Sequence, residues 1–484
     1  MPHNDEQKIN DYLAAFQQDP KAVMNRQPPK TDATGKTVAS STLFSQSAID
    51  NKDYIAARDT QRMHILRPAG SDFSAAIASN DKPENLVDAL KHNKLDAMEA
   101  AGLMQSKLTE SPWSDDYWAI YKGILGARYA DTKFPAATDW KKNVDYIKGK
   151  PSAGILASND AARINELSPS EKYDALIGDS SGSLTQRMWA EGKDYFDSNG
   201  TVETWMGICH GWAPAAYMLA RPKKTVILKT PNNVSLTFYP SDIKGLASLL
   251  WANCASSTRF IGGRCNDKKP TSDPVTGRLT SSQCFDTNPA AWHLAIVNQI
   301  GASSRSMVLD VTFDYEVWNQ PVYKYSYRYF NPQLMVFKPT LADATVDKAA
   351  FTKDKFTKFR SAQAKFVVGI YMTVSYVVET TPNHNSTDSP SNDLIRQVDY
   401  YYDLELDANK KIIGGEWYTN KHPDFLWTPA KGLRAKTQYE SQATGAWQQL
   451  QPLPQTWQVA AKSAARNQSA PLATIIEQMI KFAQ

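Results

Sequence analysis

GICHGWAPAAYMLA, residues 207–220, sets one cysteine behind a glycine, beside a histidine and ahead of an apolar run. The run reads as a helix that begins near Cys209 and closes before Pro222. Gly207 lets the chain turn tightly just before it. A thiol in the first turn of a helix is favoured as thiolate by unsatisfied N–H groups and the helix dipole. Gly211, Ala213, Ala215 and Ala216 carry little bulk, so the helix can approach another layer closely. A cysteine nucleophile needs that arrangement, although small residues also mark ordinary buried helices. Nucleophile, metal ligand, half of a disulfide and core filler are all open at this point.

The other cysteines narrow the choice. Cys254, Cys265 and Cys284 lie in one polar segment, and none forms a CxxC pair, so no zinc site is expected. A Cys265–Cys284 disulfide would staple the loop between them and imply an oxidising compartment. The alternative is three free thiols.

Working outward, 484 residues with 42% hydrophobic and 21% charged side chains suffice for a large core and more than one domain. A net charge of +4 is too small to argue for nucleic acid. The 13 Trp and 22 Tyr suit aromatic-lined grooves as well as cores. No run of about 18 apolar residues is present, so no transmembrane helix is expected. The opening MPHNDEQKINDYLAAF has no basic stretch followed by an apolar one. It reads as a mature chain or one exported by a dedicated route, with a secreted or periplasmic destination.

Residues 1–55 are polar and read as a weakly ordered or surface-laid extension. Residues 56–165 read as a helical module, a candidate pro-segment or lid, with helices over 84–107 and over the aromatic stretch 111–130. A core is expected over 166–430 and a helical segment over 431–484. Within the core, Ser168 or Ser170 caps a short helix, TVILKT and VSLTFYP form a hairpin, and Ser241 caps a helix over 241–252. WHLAIVNQIG, SMVLDVTFDYEVWNQP, KYSYRYF, KFVVGIYMTVSYVVET, LIRQVDYYYDLELD and KIIGGEWYT read as antiparallel strands. The order defines an α+β fold: a cysteine-nucleophile helix packed on an antiparallel sheet, with an added helical N-terminal module.

A nucleophile needs a base. His210 points about 100° away from Cys209 on a helix and would line a groove or pack. His293 opens an apolar run, and Asp310 sits in the next one, beyond the GASSRS turn. Read as a hairpin, these runs would place Asp310 beside His293. Cys, His and Asp in that order are the thiol acyl-transfer arrangement. The bland alternatives are a satisfied strand-end histidine and a loop-facing carboxylate. His422 and Asp424, in NKHPDFLW, form a second candidate pair.

Six stretches between 167 and 430 carry a resemblance: LSPSEKYDALIGD, GICHGWAPAA, YPSDIKGLASLLWA, NPAAWHLAIVNQIG, VLDVTFDYEVWNQPV and GGEWYTNKHPDFLWTP. Together they resemble the transglutaminase elicitor family, best known from secreted proteins of plant-pathogenic oomycetes and also present in bacteria. VWNQPV at 317–322 is similar to the start of the surface peptide that plants recognise there, but YKYSYRYF replaces the usual continuation. The resemblance implies a protein-glutamine γ-glutamyltransferase on a papain-like core, with Cys209 as nucleophile and His293 and Asp310 as its partners. A glutamine-bearing protein would be the donor and a lysine or polyamine the acceptor; water in its place would give deamidation. Papain-like proteases hold a glutamine six residues before the cysteine. Glu203 stands there and cannot donate when ionised, so the Trp205 indole is a candidate substitute donor, with groove packing as the alternative. Trp205, Trp212 and Trp292 are candidates for the walls of the acceptor channel. No cofactor is expected, and no calcium loop is evident. The rival readings are a papain-like cysteine peptidase or amidase, a non-enzymatic elicitor, and a toxin delivered into a competitor's envelope.

Overall fold

The computed structural model describes residues 2–32, 81–255, 257–263, 270–281, 287–311 and 318–484. Three long strands dominate it: NQPVYKYSYRYFN, FVVGIYMTVSYVV and LIRQVDYYYDLEL. They are rich in β-branched and aromatic residues that fit a pleated surface. In chain order the strands are β1 (Lys30–Asp32), β2 (Gln105–Lys107), β3 (Val226–Lys229), β4 (Ser235–Phe238), β5 (Thr258–Gly262), β6 (Val308–Asp310) and β7 (Asn319–Asn331). They continue as β8 (Val336–Lys338), β9 (Thr345–Asp347), β10 (Phe366–Val378), β11 (Leu394–Leu406), β12 (Ile412–Trp417) and β13 (Phe425–Pro429). Among the described residues, eleven of these join one sheet, in the order β1-β11-β10-β7-β6-β13-β5 with β2, β8, β9 and β12 alongside. Every pairing in it is antiparallel. The mixed helix and antiparallel-sheet class agrees with the sequence reading, as does the separate β3–β4 hairpin.

Side-chain alternation on the short strands decides what lies on each face. Phe260, Val308, Phe425 and Trp427 pack with Ala213, from the helix Cys209–Met218. Their neighbours Ile261, Leu309 and Leu426 point the other way, into a core shared with Trp292, Leu294 and Ile296. The Cys209 helix and the helix Pro289–Ile296 therefore cover opposite faces of the sheet.

That second helix corrects an expectation, since WHLAIVNQIG is not a strand. Its residues are apolar on all sides, so no period separates helix from strand. The start signal decides: Asn288 accepts a hydrogen bond from the Ala290 amide at 2.9 Å, and Pro289 occupies the first helical position.

Two further expectations change. Residues 2–32 belong to the fold: the helix Pro2–Gln18 buries Ile9, Leu13 and Phe16 against Phe330, Tyr401 and Tyr418, and β1 pairs with β11. Residues 33–80 lie outside the described residues. The stretch 111–130 is not one α-helix but extended chain and turns with two short 3-10 helices, Ile120–Lys122 and Ile124–Gly126, threaded through the core and burying Trp113, Trp118, Ile120 and Leu125. Its polar side chains compete with helical backbone bonding: Asp115 accepts from the Trp118 indole at 2.9 Å and Asp116 from the Trp118 amide at 3.3 Å. Over 84–107 the helix shrinks to Leu95–Ala100. Of the two serines expected to cap this helix, Ser168 does so, in a reciprocal box with Glu171. At 240–254 the cap is Tyr239, whose amide donates to Asp242, while Ser241 accepts from the Asn383 amide. No helix among the described residues is long and apolar enough to cross a membrane.

The Cys209 helix lies hard against the helix Pro240–Cys254. A Cβ on Gly211 would fall 2.2 Å from the Ser248 carbonyl oxygen and 2.6 Å from Ala252. Only glycine allows this approach, so Gly211→Ala should cost about 2–3 kcal/mol through overpacking. A urea titration should show the lower midpoint, and an unchanged midpoint would contradict this packing.

Candidate active site

Cys209 is the first residue of its helix and is only 4% exposed. The turn before it is clamped: the Ile208 amide donates to the Tyr117 carbonyl at 2.7 Å, and a Cβ on Gly207 would meet the same oxygen at 2.3 Å. From the sheet side, the Asn319 amide nitrogen Nδ2 donates to Cys209 Sγ at 3.6 Å. The Asn319 oxygen accepts from the Trp427 indole at 2.8 Å, which fixes the carboxamide with its N–H₂ toward the sulfur. Asn319 pairs with Asp310 across β6 and β7, and Asp310 accepts from the Trp318 amide at 3.1 Å. Asp310 is fully buried, and its charge reaches the thiol.

Burial pushes the Cys209 thiol up to about 11; hydrogen bonds from Asn319 oppose this, and the charges of Glu379 and Asp310 add to it. The resting group is thus a neutral, covered thiol. Glu203, six residues earlier, is raised to about 7 by burial. Near neutral pH part of its population is protonated and able to donate, which softens the contrast drawn from sequence.

The structure brings Cys209 and Asp310 together and does not bring His293 to them. His293 lies in the opposite core, its Nδ1 within 2.8 Å of the Tyr402 hydroxyl and its ring edge-on to Tyr327. Burial lowers it to about 3, so it is neutral, and Nε2 has no partner among the described residues. The hairpin expected to join His293 and Asp310 is replaced by a helix beneath one face and a strand residue facing the other.

His422 stacks on Trp417 with centroids 4.7 Å apart, and burial lowers it to about 4. Its neighbour Asp424 offers its carbonyl to the Thr287 hydroxyl at 3.2 Å. Trp292 packs edge-on to Tyr400 and Trp417, in the core that holds His293. Trp212 is fully buried and donates to the Trp113 carbonyl at 2.9 Å, which removes it from a groove wall. Trp205 is buried in the core that holds Cys209, and His210 is half-buried on the helix itself.

Asn319, Trp427 and Glu379 escaped the sequence reading. The first two sit inside the quoted words VWNQPV and DFLWTP, but no spacing tied them to Cys209. Cys254 is buried and free, while Cys265 and Cys284, with their expected bridge, lie outside the described residues.

The site is thus a buried cysteine at a helix start, set against an Asn/Asp strand pair in a mixed helix and antiparallel-sheet protein. The transglutaminase elicitor family matches residues 90–443, and the chain belongs to that family. Among solved structures, the chain is similar to the GP42 transglutaminase from Phytophthora sojae: 23% identity, 69% of this chain and 86% of that one, TM-score 0.46. No curated protein matches the chain.

With its thiol at about 11 against an ordinary 9, folded Cys209 carries about a hundredfold less thiolate at neutral pH than an unperturbed cysteine. Its alkylation by iodoacetamide, followed by mass spectrometry of the 207–220 peptide, should keep rising to about pH 11. A plateau near pH 9 in the folded protein would contradict the burial.

Proposed function

We propose that the protein is a protein-glutamine γ-glutamyltransferase acting through a Cys209 thioester. Membership of the transglutaminase elicitor family supports the reaction class, and the Cys209–Asn319–Asp310 cluster is the observation that carries the residue roles. The same membership supports a protein substrate and an extracellular site of action as a secreted effector.

Cys209 Sγ attacks the γ-carboxamide carbon of a glutamine side chain and gives up its proton to the Asp310 carboxylate. The Asn319 N–H₂ group favours the sulfur anion as it forms. N–H groups of the helix's first turn lie on the same side as the attacking atom and suit the developing oxyanion. Collapse of the tetrahedral species breaks the C–N bond, and the Asp310 proton leaves with nitrogen as ammonia. A primary amine then attacks the thioester carbon, its proton passing through Asp310 back to sulfur, and an isopeptide bond remains. Water in place of the amine yields glutamate.

A papain-like Cys-His-Asp triad would require His293 to cross the sheet, so the acid–base role falls to Asp310. Incubation with a glutamine donor protein and a labelled amine should incorporate label. Cys209→Ala should abolish incorporation, and Asp310→Asn should lower kcat by about a hundredfold or more. His293→Asn should retain incorporation to within about tenfold. Loss in His293→Asn equal to that in Cys209→Ala, with an unchanged circular dichroism spectrum, would return the base to histidine. Peptide-bond cleavage without incorporation would make the enzyme a peptidase.

A further inference from the structure

Along β10, Val377 packs into the core that holds Cys209, and Ser375 and Thr373 follow it on the same face by alternation. Farther along that face, Tyr371 packs with the helix Pro2–Gln18. Between these two covered ends lies a groove of about 420 Å³, lined by Lys107, Lys324, Ser326, Thr373, Ser375 and Gln397 among others. We infer that this groove docks an acidic segment of the glutamine-bearing donor protein. The inference deepens the transglutaminase reading and rests on it.

The charges in the groove carry the same sign. Lys107 on β2 and Lys324 on β7 are direct cross-strand partners, so their side chains leave the sheet on one face. Like charges placed opposite one another repel. Among the described residues they are the only charged side chains lining the groove, and neither forms an ion pair. The Lys107 ammonium lies 5.6 Å from the Tyr323 ring centre, a contact that leaves its charge in place. The carboxylate opposite Thr373, Asp399, is already engaged by Lys8 at 3.0 Å and by the Thr373 hydroxyl at 2.9 Å. The neutral floor is satisfied internally: Ser375 donates to Gln397 at 3.1 Å, and Gln397 donates to Thr31 at 3.4 Å. The two ammonium groups are thus the part of the groove that calls for a partner. A ligand bearing carboxylates relieves their repulsion, and a cationic one adds to it.

β7 ties the groove to the sulfur. Asn319, which donates to Cys209, stands five residues before Lys324. That separation would normally put the two on opposite faces. The ladder with β10 shifts register between Ser375 and Tyr376, however, and Val322 and Tyr325 both enter the opposite core. Asn319 and Lys324 therefore share a face, about 16 Å apart along the strand. A donor chain running extended over this face would set an acidic residue in the groove about four to six positions from its reactive glutamine. Only a ligand joined covalently to that glutamine makes use of both places at once, which favours an acidic protein segment over a free anion.

The test uses pairs of glutamine peptides that differ only in carrying two aspartates or two asparagines, about four to six residues from the glutamine, on either side. With wild type, a labelled amine and low salt, KM for the acidic peptide of one pair should lie about fivefold below that of its amide twin. In the double variant Lys107→Gln with Lys324→Gln the ratio should fall to about one, and in Lys107→Glu with Lys324→Glu it should invert. Equal KM values in wild type, or a ratio that survives the first double variant, would overturn the inference. Should the variants fail to fold, salt decides on the wild type: raising NaCl from about 50 to about 500 mM should erase the preference, and its persistence removes the inference. Fluorescence anisotropy of the same peptides on Cys209→Ala needs no turnover and separates the two readings. A lysine-dependent preference there, with no label incorporated by wild type, keeps the groove and removes the transferase; no preference there removes the groove. Lysine-dependent binding of polygalacturonate without binding of the acidic peptide would assign the groove to a glycan and overturn the inference.

Discussion

Asn319 is held from both ends of one carboxamide. The Trp427 indole fixes its oxygen, and Cys209 receives its nitrogen. The rest of the site depends on that single orientation, since a rotated amide would turn an acceptor toward the sulfur and oppose the thiolate. β13 supplies Trp427, β7 supplies Asn319, and β6 sets Asp310 beside it. Side chains that alternate in and out along these strands thus build the site and the hydrophobic seat of the cysteine helix at once.

Burial governs the electrostatics. Cys209, Asp310 and Glu379 share a poorly hydrated region, where each negative charge raises the free energy of the next. The resting thiol is therefore neutral, and Asn319 supplies a specific counterweight. A neutral resting thiol keeps the thiolate population small. That also protects a cysteine from adventitious oxidation, which proceeds through the thiolate.

Much of the fold was legible in the sequence. The long strands at 319–331, 366–378 and 394–406 show themselves through β-branched and aromatic residues, and the cap near Ser168 through its serines ahead of a helical run. Cys209 stands out for a local reason: a glycine before it, small residues after it, and a helix start. The run 292–301 reads as a strand because a fully buried segment carries no period, and the Asn288-Pro289 start signal is what marks it as helix. The stretch 111–130 misled in the opposite way. Its aromatic spacing suggests a helix, but Asp115 and Asp116 accept from the Trp118 indole and amide, and Ser114 donates its amide to Asp393 and accepts from the Leu394 amide, which ties the stretch into turns through the core.

By itself the sequence determined the mixed helix and sheet class, the placement of Cys209 at a helix N-terminus and the family, because these follow from local propensity and from words read along the chain. Only the tertiary structure decided which residues meet the sulfur. His293 and Asp310 are close in the chain, yet the sheet stands between His293 and the thiol, while Asp310 faces it. Asn319 and Trp427, far apart in the chain, converge on it. Which face of a sheet a side chain occupies depends on strand register and on the layer that covers it, and neither is written in any single stretch of residues.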